Sequence, residues 1–140
     1  MPTLEEIRAR FPSDHYAIEV TGIAIQDAQA GYAVCVLPLR EDLLNINHKP
    51  MGGAIFTLAD FTFAVAANGH SQRLTFSQHA SITFLAPAKG ETLVAKARCL
   101  KAGRHTCLYA VDITDELDTY VAHVTVNGYT VDAPPPQPQT

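Results

Sequence analysis

Met51 to Asn68 reads MGGAIFTLADFTFAVAAN, a helix-length run with apolar residues on every side and one carboxylate, Asp60, in its middle. At 3.6 residues per turn, Phe56, Thr57, Phe63, Ala64 and Ala67 share a face with Asp60, so the acid points into a largely apolar neighbourhood. A helix that is hydrophobic all round is normally buried, and a buried ionised carboxylate costs on the order of several kcal/mol unless it is paired or keeps its proton. Asp60 therefore needs a reason. The run predicts a single helix about 24 to 26 Å long, with Pro50 at its start and Asn68-Gly69 supplying a left-handed C-terminal cap. Gly52 and Gly53 remove two side chains at the end where backbone N–H groups are unpaired and the helix dipole is positive. That combination is a candidate anion or oxyanion site, about two turns from the carboxylate.

With 140 residues, the chain has enough length to bury one sizeable core and too little for two. Its 47% hydrophobic and 17% charged content is that of a folded globule. A net charge of −4 argues against general nucleic-acid binding, although a local basic patch could hold one phosphorylated ligand. Cys35, Cys99 and Cys107 lie in strand-like apolar text with no C-x-x-C pair, which predicts buried reduced thiols. The six histidines show no metal-ligand spacing on a helix, so no metal site is predicted. The opening MPTLEEIRAR is charged where a signal peptide would be apolar, and the long apolar run is too short to span a bilayer; both predict a cytoplasmic protein without membrane association.

Thr3 and Glu6 form a capping-box pattern that opens a short helix closing before Pro12. Leu4, Ile7 and Phe11 fall on one side of it, so residues 1–13 read as a helical lid packed on a main body at 14–131. His15–Val20, Ile23–Ala28 and Gly31–Leu37 read as one or two strands of a hairpin. Arg40–Pro50 is a polar connector that puts Asn45, Asn47 and His48 close to the glycine pair. Leu74–Leu85, Leu93–Leu100, His105–Thr114 and Thr119–Val131 are strand-like, joined by hairpin-length links at Lys89-Gly90, Ala102-Gly103 and Asp115–Asp118, so that neighbours should pair antiparallel. An antiparallel sheet wrapped around one helix, an α+β fold, covers these elements most simply. Residues 132–140 are a proline-rich tail, read as an unpacked extended end. One sheet cannot cover both itself and such a helix, and a twofold homodimer is the simplest way to hide the remaining apolar surface.

The block Asn45-x5-Met51-Gly52-Gly53-x6-Asp60, running into FAVAAN and followed by SITFLAPAKGETLVAKA, LKAGR and LYAVDITDE, resembles the hotdog-fold acyl-CoA thioesterases of the phenylacetate (PaaI-like) type from about Asp14 to Val131. The resemblance implies a helix wrapped by a sheet, a homodimer with two sites across its interface, and dimers that can pair into tetramers. It implies a cofactor-free hydrolysis of an acyl-CoA, an aromatic acyl group among the candidates, to free acid and coenzyme A. Asp60 would activate water or attack the thioester itself, the Gly52 and Gly53 amides would polarise its carbonyl, and Asn45 would help place the carbonyl or the water. Ser77 matches a hydroxyl that in some members orients the water from the partner subunit. Where the family usually reads His-Gly-Gly this chain reads Met51-Gly52-Gly53, with His48 the nearest histidine. Met51, His48 and Phe63 are candidates for contact with the substrate, His48 as a stand-in for the missing histidine at the carbonyl and one of Phe56, Phe61 and Phe63 as a wall of the acyl pocket, while Lys101 and Arg104, beside a hairpin glycine, are candidates for the coenzyme A phosphates. A non-catalytic acyl-CoA-binding protein is the alternative that Met51 favours; a hotdog hydratase or dehydratase would pair a histidine with an acid, and position 51 lacks it.

Overall fold

The computed structural model describes residues 2–11 and 14–134. In chain order they form α1 (Leu4–Arg10), a π-helical segment (Tyr16–Thr21), β1 (Ala24–Gln29), β2 (Tyr32–Pro38), a short 3-10 turn (Glu41–Leu43), α2 (Gly52–Asn68), β3 (Leu74–Phe84), β4 (Thr92–Ala102), β5 (Thr106–Asp115) and β6 (Tyr120–Val131). The capping box of α1 closes both ways: the Thr3 hydroxyl accepts from the Glu6 N–H at 3.2 Å, and the Glu6 carboxylate accepts from the Thr3 N–H at 2.7 Å. Ile7 is buried, and the Arg8 and Arg10 guanidinium groups tie α1 to the carbonyls of Ile25 and Gly69. Pro12 and the end of the proline-rich tail lie outside the described residues.

The segment His15–Val20 is not a strand. Its Tyr, Ile and Val favour strands, but it winds into a π-helical segment packed on α2, with the Gly22 and Ile23 N–H groups both closing on the Ala17 carbonyl. Gly22 then turns the chain at φ 93°, where a side chain would be strained.

All six strands join one sheet in the order β1-β2-β4-β5-β6-β3, every neighbouring pair antiparallel. The hairpin reading holds for β1-β2, β4-β5 and β5-β6. It fails at Lys89-Gly90, because β3 does not pair with β4 but lies at the far edge against β6. The link 85–91 crosses the ends of β5 and β6, a span of about 14 Å at the usual strand spacing and well within the reach of seven residues. The inner face of the sheet presents Leu37, Leu93, Ala95, Val111, Ile113, Val124 and Val126, which form one core with Leu58, Ala59, Phe63 and Val65 of α2.

The left-handed cap that Asn68-Gly69 predicts is not formed: Gly69 remains right-handed at φ −58° and ψ −38°. The stop comes from the Asn68 side chain, which donates to the Thr75 carbonyl and accepts from the Thr75 N–H, both at 2.8 Å. A Cβ at Gly69 would lie 2.8 Å from the Val65 carbonyl oxygen, so close approach explains this glycine. Because Asn68 joins Thr75 while Gly52 touches Phe84, α2 runs antiparallel to β3, its head at the Phe84 end.

The crossing link is held by the acidic turn after β5. Buried Asp115 accepts from the N–H groups of Lys89 and Gly90 with one oxygen and from those of Leu117 and Thr119 with the other, at 2.8 to 3.0 Å. Despite burial, the donors from Gly90, Thr119 and Lys89 hold its carboxyl well below the usual carboxylate range. A depressed folded-state pKa contributes stability above the unfolded value near 4 that is lost as the pH falls. Asp115→Ala, which leaves several N–H groups without an acceptor, should cost about 3 kcal/mol. The deficit against the parent chain should shrink as the pH drops below about 4; urea unfolding at pH 7 and pH 3.5 measures both, and an equal deficit at the two pH values would contradict the ionised clamp.

Candidate active site

The head of α2 leaves donors free. Met51 is its N-cap, extended at φ −63° and ψ 139°, and its side chain caps nothing. The Ala54 and Ile55 N–H groups both turn back to the Met51 carbonyl, at 3.0 and 3.1 Å, so among the described residues those of Gly52 and Gly53 have no acceptor. The helix opens at Gly52, two residues later than a Pro50 start predicts, because Pro50 is engaged in a bridge with Leu44.

The two glycines are not equivalent. A Cβ on Gly52 would stand 3.0 Å from the Phe84 ring, so packing within this chain explains that residue. A Cβ on Gly53 would meet nothing within 4 Å. Gly53 is thus an exposed residue whose N–H, unpaired among the described residues, lies at the positive end of a helix.

Asp60 follows Gly53 by seven residues, which returns it to the same face about 10.5 Å along the axis. That face is a half-exposed stripe of Phe56, Thr57, Asp60, Ala64 and Ala67; the other sides of α2 are buried. Thr57 does not hold the acid, since its hydroxyl donates to the Gly53 carbonyl at 2.8 Å. Burial of Asp60 raises its pKa above the usual carboxylate value, the Ser77 hydroxyl from β3 draws it back, and the negative charge of Asp14 pushes it up again. The acid is therefore placed by its helix and is not consumed in bracing the scaffold.

The other candidates divide. Asn45 lines a cleft of about 470 Å³ at the helix head with Gly52, Ile55, Phe84 and Pro87. Its side-chain oxygen already accepts from the Asn47 and Lys49 N–H groups, at 2.9 and 3.2 Å, so only its amide N–H groups are left for a ligand. Met51 joins Gly53 on the opposite side of the head, in a cleft of about 300 Å³ walled by Tyr16 and Val20. Asp60 lines neither of these clefts. The pull of the Ser77 hydroxyl on the Asp60 pKa comes from within the same chain, whereas the resemblance had this hydroxyl supplied by a partner subunit. His48, at φ 58°, lines a third cleft with Arg40, Lys89 and Thr92, away from the glycines. Phe63 is not in an open pocket: its ring is buried edge-on against Tyr109, with centroids 5.1 Å apart. Lys101 and Arg104 sit at the β4-β5 turn, beside the start of β3, at the opposite end of the sheet from the helix head of their own chain.

Sequence reasoning missed Phe84, which walls the glycine pair, and Asp14, whose charge reaches Asp60; both are distant in sequence and come together only through the packing. Among the described residues no group of three or more His, Cys, Asp or Glu is disposed to hold a metal ion, and no helix is long and apolar enough to cross a membrane.

The thioesterase superfamily family model matches residues 51–122, from the N-cap of α2 to β6. The chain is 31% identical over 119 residues to the acyl-coenzyme A thioesterase PaaI of Escherichia coli K12, covering 84% of each. It is 30% identical over 135 residues to a putative esterase of Archaeoglobus fulgidus, covering 94% of this chain and 87% of that one. The solved structure of the E. coli PaaI protein from the phenylacetic acid degradation operon superposes with a TM-score of 0.80 at 24% identity, over 92% of this chain and 98% of the other. A hypothetical thioesterase from Streptococcus pneumoniae TIGR4, solved with coenzyme A, superposes with a TM-score of 0.75 at 22% identity, over 91% and 98%. With its open amide, its half-buried acid and this similarity along nearly its whole length, the chain belongs to the thioesterase superfamily and is a hotdog-fold thioester hydrolase.

Proposed function

We propose that this protein hydrolyses acyl-CoA thioesters, with the carbonyl oxygen at the Gly53 N–H and Asp60 handling the attacking water. The observation that carries the reading is Gly53, a helix-head glycine that packing within the chain does not require, on the same face as an otherwise unneeded acid. As water adds to the carbonyl carbon, negative charge grows on the oxygen, and a preorganised N–H is worth about 3 to 4 kcal/mol there. Asp60 takes the proton of that water; as the tetrahedral intermediate collapses, the C–S bond breaks and that proton passes to the departing thiolate, giving the carboxylic acid and coenzyme A. Attack by Asp60 itself would give a mixed anhydride that water then opens. Single turnover in ¹⁸O water separates the two routes, because only the anhydride route can leave label in Asp60.

The site is completed by a second copy. β3 is an eleven-residue edge strand without charge or proline, the kind of edge that recruits another strand. Twofold antiparallel pairing of two β3 edges sets the Leu74 end of one beside the Phe84 end of the other. The open stripes of the two helices then face each other, and the Lys101–Arg104 turn of one copy moves to the helix-head end of its neighbour. There its cations lie on the route from the thioester to the nucleotide phosphates. The S. pneumoniae thioesterase solved with coenzyme A supports that ligand class. The exposed, non-capping Met51 side chain favours a binding protein without turnover as the second reading. Release of free thiol from a panel of aromatic and aliphatic acyl-CoAs decides between them.

Asp60→Asn should lower kcat at least about tenfold. Its melting temperature at pH 7 should be equal or higher: a carboxyl whose folded pKa is raised contributes stability only at low pH and loses it as the pH rises through that pKa. Unchanged turnover, or a marked fall in melting temperature, would return Asp60 to a structural role. If the site spans two copies, Asp60→Asn and Gly53→Val, each inactive alone, should recover about a quarter of parental activity when unfolded and refolded together; no recovery would confine the site to one chain. Arg104→Ala should raise KM for acyl-CoA several-fold with kcat unchanged, and leave thioesters of N-acetylcysteamine, which lack the phosphates, unaffected.

A further inference from the structure

Two clefts flank the head of α2, and they differ in what they offer a ligand. On one side Gly52, Asn45 and Phe84 line a cleft in which the Asn45 amide keeps its N–H groups, its oxygen being used by the Asn47 and Lys49 N–H groups. On the other, Gly53 shares a cleft of about 300 Å³ with Tyr16, Val20 and Met51. These three large side chains are 65%, 60% and 55% exposed. Single exposed apolar residues need no explanation, but three gathered round one cleft beside an unpaired backbone donor mark a binding surface.

The charged side chains of this second cleft are spent on its own frame. The Arg40 guanidinium donates to the carbonyls of Val20 and Thr21, the latter at 2.6 Å, and its Nε pairs with Asp42 at 2.7 Å. The Met51 N–H donates to the Leu43 carbonyl at 2.9 Å. Tyr16 and Val20 stand four residues apart on a π-helical segment that the Gly22 N–H closes on the Ala17 carbonyl at 3.1 Å. Such segments are rare and frequent at functional sites.

We propose that the Tyr16–Val20–Met51 cleft receives the acyl group, and that these three residues determine specificity for an uncharged short chain or single ring. The inference rests on the thioester carbonyl lying at the Gly53 N–H. The acyl group and the pantetheine arm leave the carbonyl carbon in different directions, so one substrate fills both clefts. The pantetheine arm carries amides, which need polar partners, and those are the Asn45 N–H groups on the Phe84 side. The acyl group takes the side whose cation and anion already pair with each other, where a charged substituent finds no free counter-ion. At the small end of ligand pockets, roughly 300 to 1,000 Å³, the cleft accommodates a short group, and a longer chain runs out into solvent. Methionine, unbranched and polarisable, packs against rings and chains alike.

The test measures kcat/KM for straight-chain acyl-CoAs from acetyl to dodecanoyl. In the parent chain it should climb by up to about fourfold per methylene until the cleft is full and then level off; a flat series from acetyl onward would overturn the assignment. Val20→Trp, which fills the cleft from an exposed position, should lower the hexanoyl-to-acetyl ratio at least about tenfold, and Tyr16→Ser, which removes a wall, should lower it severalfold. Asn45→Asp keeps the oxygen that the Asn47 and Lys49 N–H groups need and loses the amide donors, so kcat/KM should fall for every acyl-CoA with the ratio in place. A ratio that moves with Asn45→Asp and not with Val20→Trp puts the acyl group on the Phe84 side. A ratio indifferent to Val20→Trp, with loss of self-association in sedimentation, makes the exposed residues a contact between copies. Either result overturns the proposal. Calorimetry with S-hexyl-coenzyme A, a thioether that is not hydrolysed, reads the cleft without turnover: the parent should bind it at least about tenfold more tightly than coenzyme A, and Val20→Trp should lose that gain. If the gain and its loss are seen while no acyl-CoA is cleaved, the cleft stands and the hydrolytic reading falls; cleavage that ignores chain length defeats the cleft alone.

Discussion

Leu58, Ala59, Phe63 and Val65 of α2 press into the inner face of a single sheet, and a sheet of six strands curls round only part of a helix. What it leaves is the stripe from Gly53 through Phe56, Thr57 and Asp60 to Ala64 and Ala67. A buried Phe63 on one side and an open Asp60 on the other follow from the same packing. The angular offset between residues three apart on a helix, about 60° from full coincidence, is enough to put one in the core and the other at its margin. The uncharged β3 edge packs against α2, so an unpaired strand edge and a half-exposed helix stripe belong to neighbouring elements.

Two half-buried or buried acids serve opposite ends. Asp115 is surrounded by four backbone N–H donors, which stabilise its charge and fasten the link 85–91 that walls the helix-head cleft. Asp60 is offered a single hydroxyl, in apolar surroundings and beside a like charge. The first environment makes a carboxylate inert, because its lone pairs are occupied and its proton affinity is low. The second leaves lone pairs free and raises proton affinity, at a cost in stability that the surrounding core must offset. Burial alone does not tell these two environments apart; the count of donors does.

Much of this was legible before any coordinates. The all-round apolar run with one acid marked α2, the alternating Val, Ile and Thr text marked four of the strands, and the Asn45–Asp60 spacing marked the family. Local signals failed where non-local packing decided. Tyr16–Thr21 carries strand-forming residues yet coils, because it caps the flank of α2 and Gly22 lets it turn away at once. Gly69 looked like a left-handed cap and is a close contact with Val65 and Ile7 instead. Hairpin-length spacing suggested β3 beside β4, but link length does not distinguish a turn from a crossing once a second turn, that of Asp115, grips the link. The candidate site was half visible: the shared face of Gly53 and Asp60 follows from helical spacing, whereas the influence of Ser77 and Asp14 on Asp60 arises only through the fold, and the distance of Lys101 and Arg104 from the helix head could not be read from their position in the chain.

The N-cap shows what the helix gives up to keep its donors. A Ser, Thr, Asp or Asn at position 51 would accept from the N–H of the second or third helical residue and stabilise α2 by about 1 kcal/mol. Gly53 is the second helical residue, so a capping oxygen at position 51 would occupy its N–H. Methionine has no such oxygen. Its extended backbone still accepts from Ala54 and Ile55, so the helix starts cleanly while the Gly53 N–H stays free. A methionine at the N-cap thus forgoes a side-chain cap and leaves the Gly53 N–H without an acceptor among the described residues.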